Sequence, residues 1–142
     1  GRRGFELTVQ FGDWVRRDAR GVGFDSSAGF LLPNGAERSP DLAWIERSRW
    51  AQIPPEQQRR FAPICPDFVV ELLSPRDDVG EIQAKLREYI ACGARLGWFI
   101  DPDRRRLEVY RPGRPPEMVE NPATIAGDPE MPGLVIDLTR IF

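Results

Sequence analysis

The chain contains no histidine. That absence removes Ser-His-Asp and Cys-His catalysis, imidazole zinc sites and every nuclease that works through a histidine base. Cysteine is nearly as scarce: Cys65 and Cys92 offer neither a metal-binding spacing nor a disulfide framework, which fits a reducing, cytoplasmic setting. No apolar run approaches the roughly 20 residues a bilayer-spanning helix needs, and no signal-peptide pattern opens the chain, so no membrane association is expected. Lysine is the sharpest scarcity, because Lys85 is the only one among 20 lysines and arginines. A chain that carries its positive charge on arginine keeps lysine mainly where a compact, rotatable ammonium with an adjustable pKa is needed. The plain alternative is one leftover cation on a solvated helix face. Chemistry here must rest on carboxylates, hydroxyls, Lys85 and a hard metal ion.

With 142 residues, 41% apolar and 30% charged, the chain reads as one domain, residues 1–142, with enough mass to bury a core. A formal charge of -2 excludes a uniformly basic nucleic-acid clamp. Local patches remain: Arg104, Arg105 and Arg106, with Arg111 and Arg114 beyond, and a second cluster at Arg59 and Arg60. Each can contact phosphate or simply keep an exposed sheet edge from pairing.

From Phe5 to about Arg20, the spacing of Leu7, Phe11, Trp14 and Val15 predicts an amphipathic helix. Residues 29–32 and 41–45 read as extended segments flanking a Pro33-Asn34-Gly35 turn, and residues 46–63 as short helix and loop. Asp67 to Leu73 is a nearly continuous apolar run suited to a central strand. Ser74-Pro75 followed by Asp77 predicts a helix start, and the helix beyond buries Val79, Ile82, Leu86, Tyr89 and Ile90 until Gly93 ends it. Residues 96–100 and 107–110 form a hairpin through Asp101-Pro102-Asp103, and residues 134–136 make a last extended piece. This order predicts an α/β domain on a mixed sheet.

Three pieces converge on one kind of chemistry: Ser39-Pro40-Asp41 beginning a strand, Glu71 inside the apolar strand, and Lys85 fourteen residues later on the helix. Glu71 shares a strand face with Asp67, Val69 and Leu73, so a carboxylate projects from an apolar surface and needs a partner. Two carboxylates on adjacent strands repel unless a cation is present, and oxygen-only ligation suits magnesium or manganese. An ammonium leaning over the strand end can orient the attacking water or stabilise charge developing on a phosphate. The other acids take plainer roles. Asp67 lies roughly 13 Å from Glu71 along an extended strand, too far to share an ion, and Asp25, Asp77, Asp78 and Asp101 read as turn or helix-start residues. Trp44, Trp50 and Trp98 read as core or sheet-face aromatics.

The segments GVGFDSSAGFLLPNG, ERSPDLAWI, CPDFVVELLSPRDD, QAKLREYIACGARLGWFIDP and LEVYRP span most of residues 21–112. Together they resemble the PD-(D/E)XK nuclease superfamily and, more closely, its Uma2 restriction-endonuclease family. The resemblance implies a restriction-endonuclease-like mixed sheet flanked by helices, and magnesium-dependent phosphodiester hydrolysis at Asp41, Glu71 and Lys85. In the wider superfamily the lysine lies two residues after the acid, a position held here by Leu73, so its role passes to Lys85. Glu6 matches an additional metal-ligand acid of the first helix, the plain alternative being a solvated helix-face glutamate, and the chain begins without methionine, as though it lacked an N-terminal segment usual in the family. The expected function is a DNA endonuclease acting as a homodimer, with tail residues such as Met118, Met131 and Leu134 offered to the interface. The alternative is a silent module of the same fold that binds nucleic acid or a protein partner.

Overall fold

The first helix, α1 (Arg2–Asp18), turns Leu7, Phe11 and Trp14 inward, as their spacing requires, and Ala19 stops it in the left-handed region at φ 61°. The computed structural model describes residues 1–142. Strand β1 (Gly21–Asp25) follows, then a small two-stranded ribbon of β2 (Phe30–Leu31) and β3 (Glu37–Arg38) around the Pro33-Asn34-Gly35 turn. Next come β4 (Leu42–Glu46), the short helices α2 (Arg47–Ala51) and α3 (Pro55–Gln58), β5 (Phe68–Leu72), α4 (Val79–Ala91), β6 (Leu96–Asp101) and β7 (Arg106–Tyr110). The tail adds β8 (Glu117–Glu120), β9 (Thr124–Ala126), β10 (Val135–Asp137) and a closing 3-10 turn.

Six strands form the main sheet in the order β1-β4-β5-β6-β7-β8, with only β5 and β6 parallel. The parallel pair is joined by α4, a crossover that brings the helix back over one face. Alternation along β5 divides the core. Phe68 and Val70 pack with Leu7, Phe11, Trp14, Trp98, Met131 and Leu134 on the α1 face. Val69 packs with Ile82, Leu86, Tyr89 and Phe99 on the α4 face. Both faces are covered, which is why β5 and β6 are almost wholly apolar.

Several expectations are corrected. Residues 41–45 do not pair with 29–32; the latter pair with β3, while β4 pairs with β1 on one side and β5 on the other. GVGFD carries little apolar periodicity, so its side chains give no strand signal, yet it forms β1. Gly21 is required there, since a Cβ would come within 2.1 Å of the Trp44 ring. Ser74 does not cap α4: the N-cap is Asp78, which accepts from the Glu81 amide at 3.0 Å, while Asp77 accepts from the Ser74 amide in the preceding turn. Met131 and Leu134 are buried in the α1-side core and cannot form an interface, whereas Met118 is exposed.

Candidate nuclease site

Strand pairing assembles the candidate site. Leu42 pairs with Val70 in the β4–β5 ladder, so one further step sets Asp41 opposite Glu71 at the sheet end. Asp41 reaches across and accepts the Leu72 amide at 2.7 Å. Glu71, only 6% exposed, accepts the Tyr89 hydroxyl at 3.0 Å.

Burial dominates the electrostatics. Desolvation, then the charge of Asp41, pushes Glu71 up to about 7, against the opposing pull of the Tyr89 bond and the Lys85 charge. Asp41 is raised as well, first by desolvation, with the Leu72 amide and Lys85 opposing. Tyr89 is held far above the usual phenol range by burial and by Glu71, so it remains a donor. The pair therefore resists carrying two charges at neutral pH.

Lys85 is half-buried on the flank of α4 and takes part in none of the ion pairs of the structure. Its position on the helix follows from its neighbours. Glu88, one turn later, bonds Arg38 and Asn34 of the ribbon leading into β4. Gln83, on the other flank, reaches Glu108 of β7. Lys85 thus shares the flank that faces the ribbon leading into Asp41, and its charge weakly favours the ionised forms of Asp41 and Glu71.

Glu6 is not brought to this pair. Its carboxylate accepts from Gln10 at 2.9 Å and lies 4.0 Å from Arg140, beside the tail. No group of three or more acids, cysteines or histidines is poised to hold a metal. Asp67 is structural, accepting the Glu46 amide at 2.8 Å and pairing with Arg49 and Arg95. Asp25 makes a turn with Ser27, yet lines the same cleft of about 740 Å³ as Asp41, together with Arg2, Arg3, Leu72 and Ser74. The hairpin basic cluster is partly neutralised, with Arg104 on Asp101, Arg106 on Glu120 and Arg111 on Glu130. Trp44 and Trp98 are core residues, and Trp50 packs edge-on against Phe24.

Sequence reasoning overlooked two features. Tyr89 was read only as a core residue, but it also supplies the hydroxyl that holds Glu71. Glu108 is a second buried carboxylate on the same face, in register across Phe99 from Glu71, accepting from Tyr110 at 2.6 Å and Gln83 at 3.1 Å. A lone acid within an apolar strand was the signal for both glutamates.

The donor set fits a hard divalent cation. It offers carboxylate oxygens without nitrogen or sulfur, and a pair whose double ionisation is opposed by burial and like charge, which a bound cation relieves.

The chain superposes on the crystal structure of a putative nuclease from Anabaena variabilis, described as belonging to DUF820, with a TM-score of 0.81 at 22% identity. The match covers 99% of this chain and 78% of that one, and it shows the fold. No curated protein matches the sequence. The model of the Uma2 family, described as "Putative restriction endonuclease", matches residues 1–139. A match over nearly the whole length, on a nuclease-like sheet with two carboxyls meeting at its end, places the chain in the Uma2 family.

Proposed function

We propose that the protein is a metal-dependent endodeoxyribonuclease in which Asp41 and Glu71 hold magnesium or manganese and Lys85 assists hydrolysis. The observation that carries this reading is the meeting of Asp41 and Glu71 across the β4–β5 ladder, beside the α4 flank that carries Lys85. A divalent ion held there supplies Lewis-acid polarisation of the phosphoryl group and eases ionisation of water. The chain's own residues do the rest. The Leu72 amide orients Asp41 and the Tyr89 hydroxyl orients Glu71, so both carboxylates are aimed before substrate arrives. The Lys85 ammonium orients the attacking water or stabilises charge developing on the phosphate. Two-fold pairing of chains would let one small site per chain cut both strands of a duplex. The two free cysteines fit a reducing cytoplasm, and no helix is long and apolar enough to cross a membrane.

The silent-module alternative draws on one observation, the lack of a third acid beside the pair. Manganese- and magnesium-dependent cleavage of plasmid, single-stranded DNA and RNA decides between the readings. Cleavage lost in Glu71→Gln supports the nuclease; DNA binding without cleavage under any metal supports the module.

A further inference from the structure

The end of the sheet that holds Asp41 and Glu71 also exposes arginines whose side chains have no partner. β5 and β6 are parallel and β7 runs back against β6, so the turns after β5 and after β6 emerge at this same end. Each exposes an arginine with no ion pair or hydrogen bond from its side chain: Arg76 in the first turn and Arg105 in the second. On the other side, Arg59 and Arg60 are likewise exposed and unpartnered, and they line a hollow of about 370 Å³ with Ser39. Ser39 is two residues from Asp41, a backbone span of at most about 7 Å. Asp25, Asp77, Asp78 and Asp101 at this end each accept hydrogen bonds from local amides, while Asp103, beside Arg105, is exposed and unpartnered.

The Arg59-Arg60 loop is anchored. Phe61 packs so closely on Gly29 that a Cβ there would come within 2.5 Å of its ring. Ala62 is bonded on both sides to the ribbon segment, its amide to Gly29 at 3.1 Å and its carbonyl to Leu31 at 2.8 Å. Arginines on an anchored loop lose less freedom on binding than those on a mobile one.

Resting on the nuclease reading, we infer that DNA lies across this sheet end, with its phosphates held by Arg59 and Arg60 on one side of the carboxyl pair and by Arg76 and Arg105 on the other. The net charge of -2 is compatible with this surface, because phosphate contacts depend on a few local guanidinium groups rather than on the total charge. The surface recognises the polyanionic backbone and carries no sequence information of its own.

The test is anisotropy of a fluorescent DNA duplex in EDTA, over a range of salt concentrations, with cleavage assayed separately. Arg59→Ala/Arg60→Ala and Arg76→Ala/Arg105→Ala should each weaken binding about tenfold or more and reduce the slope of log K against log salt by about 2. Arg87→Ala/Arg114→Ala removes two equally free arginines away from this end and should leave the slope unchanged. Lysine pairs at the same positions should retain most of the slope, which separates charge from folding, and glutamine pairs replace any alanine pair that lowers Tm. Wild-type cleavage together with unchanged slopes in both test pairs overturns the surface and leaves the nuclease reading intact. A wild-type protein that neither binds nor cuts DNA overturns both.

Discussion

The Tyr89 hydroxyl donates to Glu71 Oε2 at 3.0 Å, from a helix residue 1% exposed to a strand carboxyl 6% exposed. This bond joins α4 to the candidate site, and it is the only hydrogen bond from a neutral side chain that offsets the burial of Glu71. Tyr89→Phe keeps the ring and removes the donor. It should cost about 1–3 kcal/mol in denaturant unfolding, with a larger loss above neutral pH, where Glu71 ionises. Equal stability of mutant and wild type at pH 8 would show that the bond carries no weight.

Glu71→Gln should remain folded, melt at a higher temperature than wild type at pH 8, lose divalent-metal affinity and lose cleavage. The charge it removes is disfavoured by burial and by Asp41. Calorimetric titration with manganese checks it; undiminished affinity in the mutant moves the metal elsewhere.

The pH dependence has a definite sign. Glu71 is raised from 4.5 to about 7, so between those values the folded state holds a proton that the unfolded state has released. Stability from this group is present at low pH, falls as pH rises toward 7 and is lost above it, by an amount on the order of 3 kcal/mol. Asp41 shifts in the same direction. Metal-free protein should melt lower at pH 8 than at pH 6, and saturating manganese should narrow the gap. A melting temperature that rises steadily over this range would contradict the burial argument.

Lys85→Arg preserves charge while enlarging the head group and fixing its donors. If the ammonium serves catalysis, cleavage should fall roughly 100-fold or more with Tm and metal affinity near wild type. A mutant that cuts at the wild-type rate returns Lys85 to the role of a solvated helix cation, for which a change within about 0.5 kcal/mol is the expectation.

A homodimer should be visible by light scattering at concentrations where duplex cleavage is full. With Met131 and Leu134 committed to the core, its interface must draw on surface such as the β1 or β8 edge. Full cleavage by a monomer removes the two-fold requirement.

Much of the architecture was legible because periodicity reports burial directly. The Leu7-Phe11-Trp14 stripe announced α1, the apolar run 68–72 announced the central strand, and Gly93 announced the end of α4. Where side chains gave no such pattern, the reading failed. GVGFD is a strand because β4 pairs with it and Trp44 needs the space over Gly21, and EMVE is a strand because β7 offers it an edge. The first is decided by a strand beyond the β2–β3 ribbon and the second by its hairpin neighbour.

The amino-acid sequence by itself determined the chemical alphabet: no imidazole, one lysine, and a few acids set among apolar strand residues. It also carried the ordered motifs that identify the family. Only the tertiary structure decided which acids meet. Asp41 and Glu71 are 30 residues apart and become neighbours through the register of an antiparallel ladder. Glu6 turns to Gln10 and the tail, and Tyr89 reaches Glu71 from a helix. Local propensity is written residue by residue, whereas the distance between two carboxyls depends on how strands pair and helices pack across the whole domain.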